Sequence, residues 1–251
     1  MNPDLKNSPD PLPHLAAGVP ADAGQLILHR RARLVASVLP QLQGHLLDFG
    51  CGSGAQTLLL APAFEKTTGV DINEEFLSGF HQSIKTYPHP ERVHAVATGG
   101  RPVDLPAASV DVATSFTVLE HVPDEMAVLN DLHRLLKPGG RLILTVPNRW
   151  WVFETHGADL PLLPWNRVPF VSWWPTALHD RWARARIYRR ADIVKLVEAA
   201  GFHVDEVLHL KAPMDVIPWP AVRNLARKTI FRGDRTAFPF LATEIFLAAT
   251  R

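Results

Sequence analysis

LLDFGCGSGAQ, residues 46–56, is an apolar run that meets an acid, Asp48, and then Gly50, Gly52 and Gly54 within five positions. Missing side chains let the backbone bend tightly between a strand and a helix and let a ligand lie against it. The spacing Gly50-x-Gly52-x-x-Ala55, with Asp71 about 20 residues on, satisfies the fingerprint of a strand–turn–helix nucleotide site. On these residues a nicotinamide-dependent dehydrogenase, NAD or NADP, is one candidate.

Outward from that loop the chain alternates. A strand is expected at 45–49, a helix at about 54–61, a strand at 67–71, a helix at 74–85 and strands at 92–96 and 110–116. A helix at 123–136, a strand at 141–146, a helix at 190–200 and a strand at 202–210 continue the series. Such alternation predicts an α/β, Rossmann-like, mostly parallel sheet with helices on both faces. TEIFLAAT (243–250) follows without a crossover helix, so a reversed last strand is expected. Upstream, residues 25–40 set Leu26, Ile27, Leu34, Val35 and Val38 at helical spacing among basic residues. Residues 1–23 contain five prolines and are read as a flexible tail or lid, leaving 24–251 as one catalytic domain.

The whole chain sets the bounds. With 251 residues and 47% hydrophobic composition it can bury a large core. One cysteine, Cys51, excludes a disulfide framework and fits a reducing compartment, so the cytoplasm is the expected location. No apolar run approaches the roughly 20 residues that span a bilayer.

Three further blocks carry a resemblance. LLDFGCGSG with GVDI, VDVATSFTVLEHVPD (110–124) and LKPGGRLILTVPN (136–148) together resemble the class I S-adenosylmethionine (SAM)-dependent methyltransferases. The nearest branch is that of quinone-biosynthesis enzymes such as demethylubiquinol O-methyltransferase. The resemblance covers roughly 25–146 and 189–210 and implies a seven-stranded sheet with the last strand reversed. SAM has no pyrophosphate, and Asp48 suits an ammonium while repelling a phosphate. The glycine loop, Cys51 included, and the N-terminus of the following helix would receive the methionyl carboxylate through free N–H groups. Asp71 would accept the ribose hydroxyls, Ile72 would cover an adenine face, and Phe116 would line the cofactor by resemblance. Arg30 or Arg33 is a candidate for the carboxylate. One position departs from the pattern: GRPVDLP (100–106) has Arg101 where relatives carry an acid for the adenine amino group. Backbone groups around Arg101 and Pro102 would then hold the base, or Asp104 is recruited.

Methyl transfer from a sulfonium is an in-line displacement that needs a positioned acceptor and no covalent enzyme nucleophile. Cys51 is therefore a small turn residue. A phenol or enol acceptor needs a base, and His121, after Glu120 at the end of the fourth strand, is the first candidate; capping of the next helix is the alternative. Some relatives bind a divalent metal through Glu-x-x-Glu-His; Thr117 replaces the first acid, two donors remain, and no metal is expected.

Two insertions, 147–188 and 212–242, interrupt the alternation. The first holds Trp150, Trp151, Trp165, Trp173, Trp174 and Trp182, and offers Asn148, Glu154, His156 and His179 to the mouth of the site. Residues 147–190 and 212–242 together carry 12 Lys+Arg against 5 Asp+Glu, and the remainder 14 against 20. Interleaved arginines and tryptophans suit a lipid-like or aromatic small-molecule acceptor, or an anionic membrane surface, or a soluble packed cap. RNA would use similar chemistry, but no RNA-binding module is attached. The expectation is therefore O- or C-methylation of a small aromatic or isoprenoid acceptor. The alternatives are a dehydrogenase, an RNA methyltransferase and a non-catalytic SAM-binding protein; oligomeric state is not legible.

Overall fold

The computed structural model describes residues 18, 24–39, 41, 43–156, 158–160, 163–165 and 169–251. The 1–23 tail, apart from Gly18, and residues 157, 161–162 and 166–168 of the first insertion lie outside the described residues.

The elements follow the predicted alternation. Helix α1 (Leu26–Val38) leads into β1 (His45–Phe49), α2 (Ala55–Leu60), β2 (Lys66–Asp71), α3 (Glu74–Lys85), β3 (Val93–Ala97) and β4 (Val110–Phe116). Next come α4 (Glu125–Leu135), β5 (Leu136–Pro147), a small hairpin of β6 (Ala158–Leu160) and β7 (Leu163–Trp165), and α5 (Thr176–His179). Helix α6 (Arg190–Ala199), β8 (His203–Lys211), α7 (Pro220–Lys228), β9 (Arg235–Thr236) and β10 (Ala242–Thr250) complete the chain.

The main sheet runs β3-β2-β1-β4-β5-β10-β8-β9, with β1 to β5 parallel and β10 antiparallel to both β5 and β8. The reversed last strand is thus wedged between two strands, and the two-residue β9 adds an eighth strand at the edge. Strand β5 begins five residues earlier than its apolar run, taking in Lys137 to Gly140 across a register shift. Order reverses where β1 sits between β2 and β4, and ligands collect outside the carboxyl ends of strands at such a point.

Side-chain alternation divides the core. Leu47, Leu142, Leu144, Ile245 and Leu247 pack with Leu129, Leu132 and Leu135 of α4 and Ile193 and Val197 of α6. Their neighbours Leu46, Ile143, Phe246 and Ala248 point the other way, onto Leu28, Leu34 and Val35 of α1 and Leu60 of α2. Each such leucine buries enough apolar surface to contribute about 2 kcal/mol. Removing one would cost about 3 kcal/mol once the cavity is included. These two layers fix the strand tips on which the site is built. Among the described residues no helix is long and apolar enough to cross a membrane.

Candidate functional site

The loop after β1 is a backbone construction. Gly50, Gly52 and Gly54 have φ of +76°, +54° and +81°, values that L side chains rarely adopt. Space also forbids side chains at two of them: a Cβ on Gly54 would come within 2.1 Å of the Phe80 ring, and one on Gly50 within 2.3 Å of Val118. The amides expected to be free are engaged. Gly50 and Cys51 donate to Val70 O, Gly54 donates to Cys51 O, and Gly52 donates to the Asp71 carboxylate at 2.8 Å. The loop is therefore held by its own hydrogen bonds, and the carboxylate contacts assigned to those four amides need another donor. Gly54 is the N-cap of α2, and no side chain caps that first turn.

Two acids flank this loop. Asp71 braces it, one oxygen on Gly52 N–H and the other accepting from Asn73 N–H at 2.9 Å. Each oxygen keeps a second lone pair for a diol. Beside it Ile72 is 66% exposed, an apolar platform at the strand tip. Asp48 is buried, accepting from the Thr57 hydroxyl at 2.5 Å and the Thr114 hydroxyl at 2.8 Å. Burial pushes its carboxyl up despite those hydroxyls and the charge of Arg31. Burial likewise pushes the Cys51 thiol up, which keeps it protonated and unreactive. These features fit SAM.

The arginines are reassigned. Arg30 is spent on the carbonyls of Lys211, Ala212 and Phe231, and Arg33 forms a surface pair with Asp234 at 2.6 Å. Neither reaches the loop. Arg31, between them, turns inward: it makes a bidentate pair with Glu244 (2.9 and 2.6 Å), touches the Thr117 hydroxyl at 3.3 Å and lies 5.4 Å over the Phe116 ring. Its position three residues after Leu28 and before Leu34, on the apolar stripe, was the available signal. Arg31, Glu244 and Thr117 escaped the sequence reading. Thr117 itself has φ +54°, backbone strain at the tip of β4 of the kind that marks functional sites. Arg101 and Pro102 are exposed; the Arg101 N–H donates to Thr98 O, and the buried neighbour Val103 donates to Asp131.

On the other side of the strand tips the first insertion folds back over β4. Its last segment clamps the turn that carries Glu120 and His121: the Arg186 guanidinium bonds the carbonyls of Leu119, Val122 and Pro123, and the Tyr188 hydroxyl donates to Glu125 at 2.6 Å. His156 is brought in from the same insertion. Its Nε2 lies 3.3 Å from Glu120 Oε1, and its ring meets His121 edge-on with centroids 4.8 Å apart. Glu120 is wholly buried, and among the described residues its oxygens have no well-aligned hydrogen-bond donor. Burial would lower the His156 imidazole, but Glu120, with Glu154 and Glu244, outweighs that and holds it above its ordinary value. From the amino end, Gly18 lies against the His121 ring, close enough that a Cβ would sit 3.3 Å from it.

The structure thus gathers Glu120, His121 and His156 and leaves the other polar candidates of the insertion elsewhere. Asn148 ties backbone, donating to the carbonyls of Pro239 and Ala242. Glu154 and His179 form a wholly buried pair at 2.8 Å inside the cap. The donor count also changes: ligand atoms of Glu120, His121 and His156 lie within 4.8 Å of one another, so the site offers three donors where the sequence counted two.

Comparison with known proteins accords with this geometry. A family model described as a methyltransferase domain matches residues 22–207. The chain is 31% identical over 163 residues to a probable S-adenosylmethionine-dependent methyltransferase of Mycolicibacterium smegmatis, covering 65% of this chain and 53% of that one. It is 29% identical over 170 residues to a ubiquinone biosynthesis O-methyltransferase of Idiomarina loihiensis, covering 62% and 60%. The match thus spans little more than half the length of these relatives. A solved geranyl diphosphate C-methyltransferase of Streptomyces coelicolor, in complex with Mg2+, geranyl diphosphate and S-adenosyl-L-homocysteine, shares the fold. Its TM-score is 0.60 at 14% identity, over 89% of this chain and 80% of that one.

Proposed function

The chain belongs to the SAM-dependent methyltransferases, and from that premise we propose that it methylates an oxygen or carbon of a small aromatic or isoprenoid acceptor held beneath the first insertion. The cofactor supplies, when bound, an electrophilic methyl group on a sulfonium. Within one domain, 24–251, the two insertions form the acceptor side. The observation that carries the reading is the contact of His121 with His156 over the buried Glu120 carboxylate, at the end of β4.

In this proposal Asp71 and Ile72 bind the nucleoside, the glycine loop with Cys51 shapes its seat, and Asp48 faces the ammonium. Arg31 replaces the loop amides as the group nearest in chemistry to a carboxylate ligand. Arg101, Pro102 and Phe116 border the adenine and methionine ends. His121 takes the acceptor proton. His156, whose protonated form Glu120 favours, would place positive charge beside the oxygen that is losing that proton, which lowers the barrier to its ionisation. Trp151, buried under the cap, contributes the apolar wall that keeps water out. An isoprenoid acceptor suits this wall, and likeness to a ubiquinone biosynthesis O-methyltransferase and to a geranyl diphosphate C-methyltransferase supports such substrates.

The three-donor cluster favours one second reading, a divalent cation on Glu120, His121 and His156. Two imidazoles and a carboxylate suit zinc, manganese or iron better than magnesium, which prefers oxygen. The cation would have to displace the proton that Glu120 stabilises on His156. Labelled SAM offered to quinol precursors and prenyl alcohols, with and without chelator, tests both readings. Transfer that persists in chelator supports the proton relay; transfer that needs added metal supports the cation; none on either acceptor class removes the proposed substrate.

A further inference from the structure

Helix α7 (Pro220–Lys228) is built inside out. It is amphipathic by spacing, with Trp219, Val222, Leu225 and Ala226 on one side and Arg223, Asn224, Arg227 and Lys228 on the other. A surface helix normally turns its apolar stripe to the core. Here no residue of α7 is buried, Val222 is 52% and Leu225 64% exposed, and Trp219 just before it is 68% exposed. Toward the body of the protein the helix turns Arg223 and Arg227. Arg227 donates to the Pro213 carbonyl at 2.8 Å and to the Asp215 carboxylate, and Arg223 Nε is out of reach of solvent. Ile230, 63% exposed, extends the outward apolar surface beyond the helix.

We infer that this outward face docks on an anionic phospholipid surface, with α7 lying flat in the headgroup layer. Of the four arginine and lysine residues in 216–232, Arg227 is paired with Asp215, while Lys228 and Arg232 stand exposed. Lys228 and Arg232 are both exposed at the margin of the apolar face, where they reach lipid phosphates while Trp219, Val222 and Leu225 enter the acyl boundary. Charge decides against a second copy of the same face, because a two-fold contact would bring one cluster of cations against another. Size argues the same way: three or four side chains fall far short of the roughly 20–30 residues a side of a stable protein interface. The second insertion is joined to the first where the Trp151 and Phe231 rings meet edge-on, centroids 6.4 Å apart, so docking through α7 sets the cap toward the bilayer. The inference does not rest on the acceptor proposed above.

The test is sedimentation of the full chain with vesicles, without substrate. Phosphatidylcholine vesicles containing one third phosphatidylglycerol should bind at least about tenfold tighter than pure phosphatidylcholine, with the advantage lost in high salt. The double substitution Val222→Asp and Leu225→Asp should weaken binding to the anionic vesicles about tenfold or more. Its circular dichroism and affinity for S-adenosylhomocysteine should be unchanged, since neither residue packs inward. In the wild type, Trp219 should move to shorter emission wavelength on binding, a shift that Trp219→Phe removes. Equal binding of wild type and double variant, absence of binding to both vesicles, or a solution dimer that the same substitutions dissolve would each overturn the inference.

Discussion

The two sides of the strand tips are built by different means. Around β1 and β2 the site is made of main chain: three left-handed glycines, amides closed on Val70 O and Asp71, and one exposed isoleucine. Around β4 and β5 it is made of side chains from distant segments, Glu120 and His121 from the strand end and His156 from the insertion. The first rests on backbone and on packing against Phe80 and Val118, whereas the second requires the insertion to be folded. On the proposed reading the first side is the cofactor half and the second, closed by the insertion, the acceptor half.

The largest effect that would sharpen this contrast lies at the hinge between the halves. Arg31→Met leaves Glu244 buried without its cation, and loss of about 4 kcal/mol of stability is expected in denaturant titration. A change of less than about 1 kcal/mol would show that the pair is solvated. Next, His121→Ala should lower kcat about a hundredfold, about 2.7 kcal/mol of barrier, with SAM affinity intact; full activity would move the proton elsewhere. Asp71→Ala should do the converse, weakening SAM binding well over tenfold, about 2 kcal/mol by calorimetry, and unchanged affinity would refute its role in the cofactor half.

A smaller effect distinguishes the halves by pH. His156 and His179 both have folded values raised by carboxylate partners that outweigh burial. The stability they give the cap is fully present below the unfolded value of 6.5 and is lost as pH rises through the folded ones. Amide exchange of residues 148–156 and 176–186 should thus accelerate from pH 6 to pH 9 beyond the intrinsic base dependence, while residues 45–60 show no such excess. Glu154→Gln should remove most of the difference. Smallest of all, Arg33→Ala at the exposed Asp234 pair should change stability by less than about 0.5 kcal/mol.

How far the chain could be read beforehand follows the same division. Strand and helix periods placed β4 at 110–116 and α3 at 74–85 with the observed bounds, because each element is decided within its own length. The loop and its two acids were legible for the same reason. The identity of the inward arginine was not, since Arg30 and Arg31 both lie on the apolar stripe and only packing against Lys211, Ala212 and Glu244 separates them. Nor could spacing tell that His156 would meet Glu120 while His179 took Glu154; the two histidines are chemically alike, and long-range folding of the insertion sorts them. Asn148 illustrates the limit from the other side: a polar residue at a strand end looks like a ligand group until the carbonyls of Pro239 and Ala242 claim its amide.

Gly18 gives the imidazole of His121 a neighbour more than a hundred positions away in sequence, and only a short stretch of chain joins that neighbour to α1, the helix that bears Arg31. A bulky residue at position 18 would press on that ring from a part of the chain far from it in sequence.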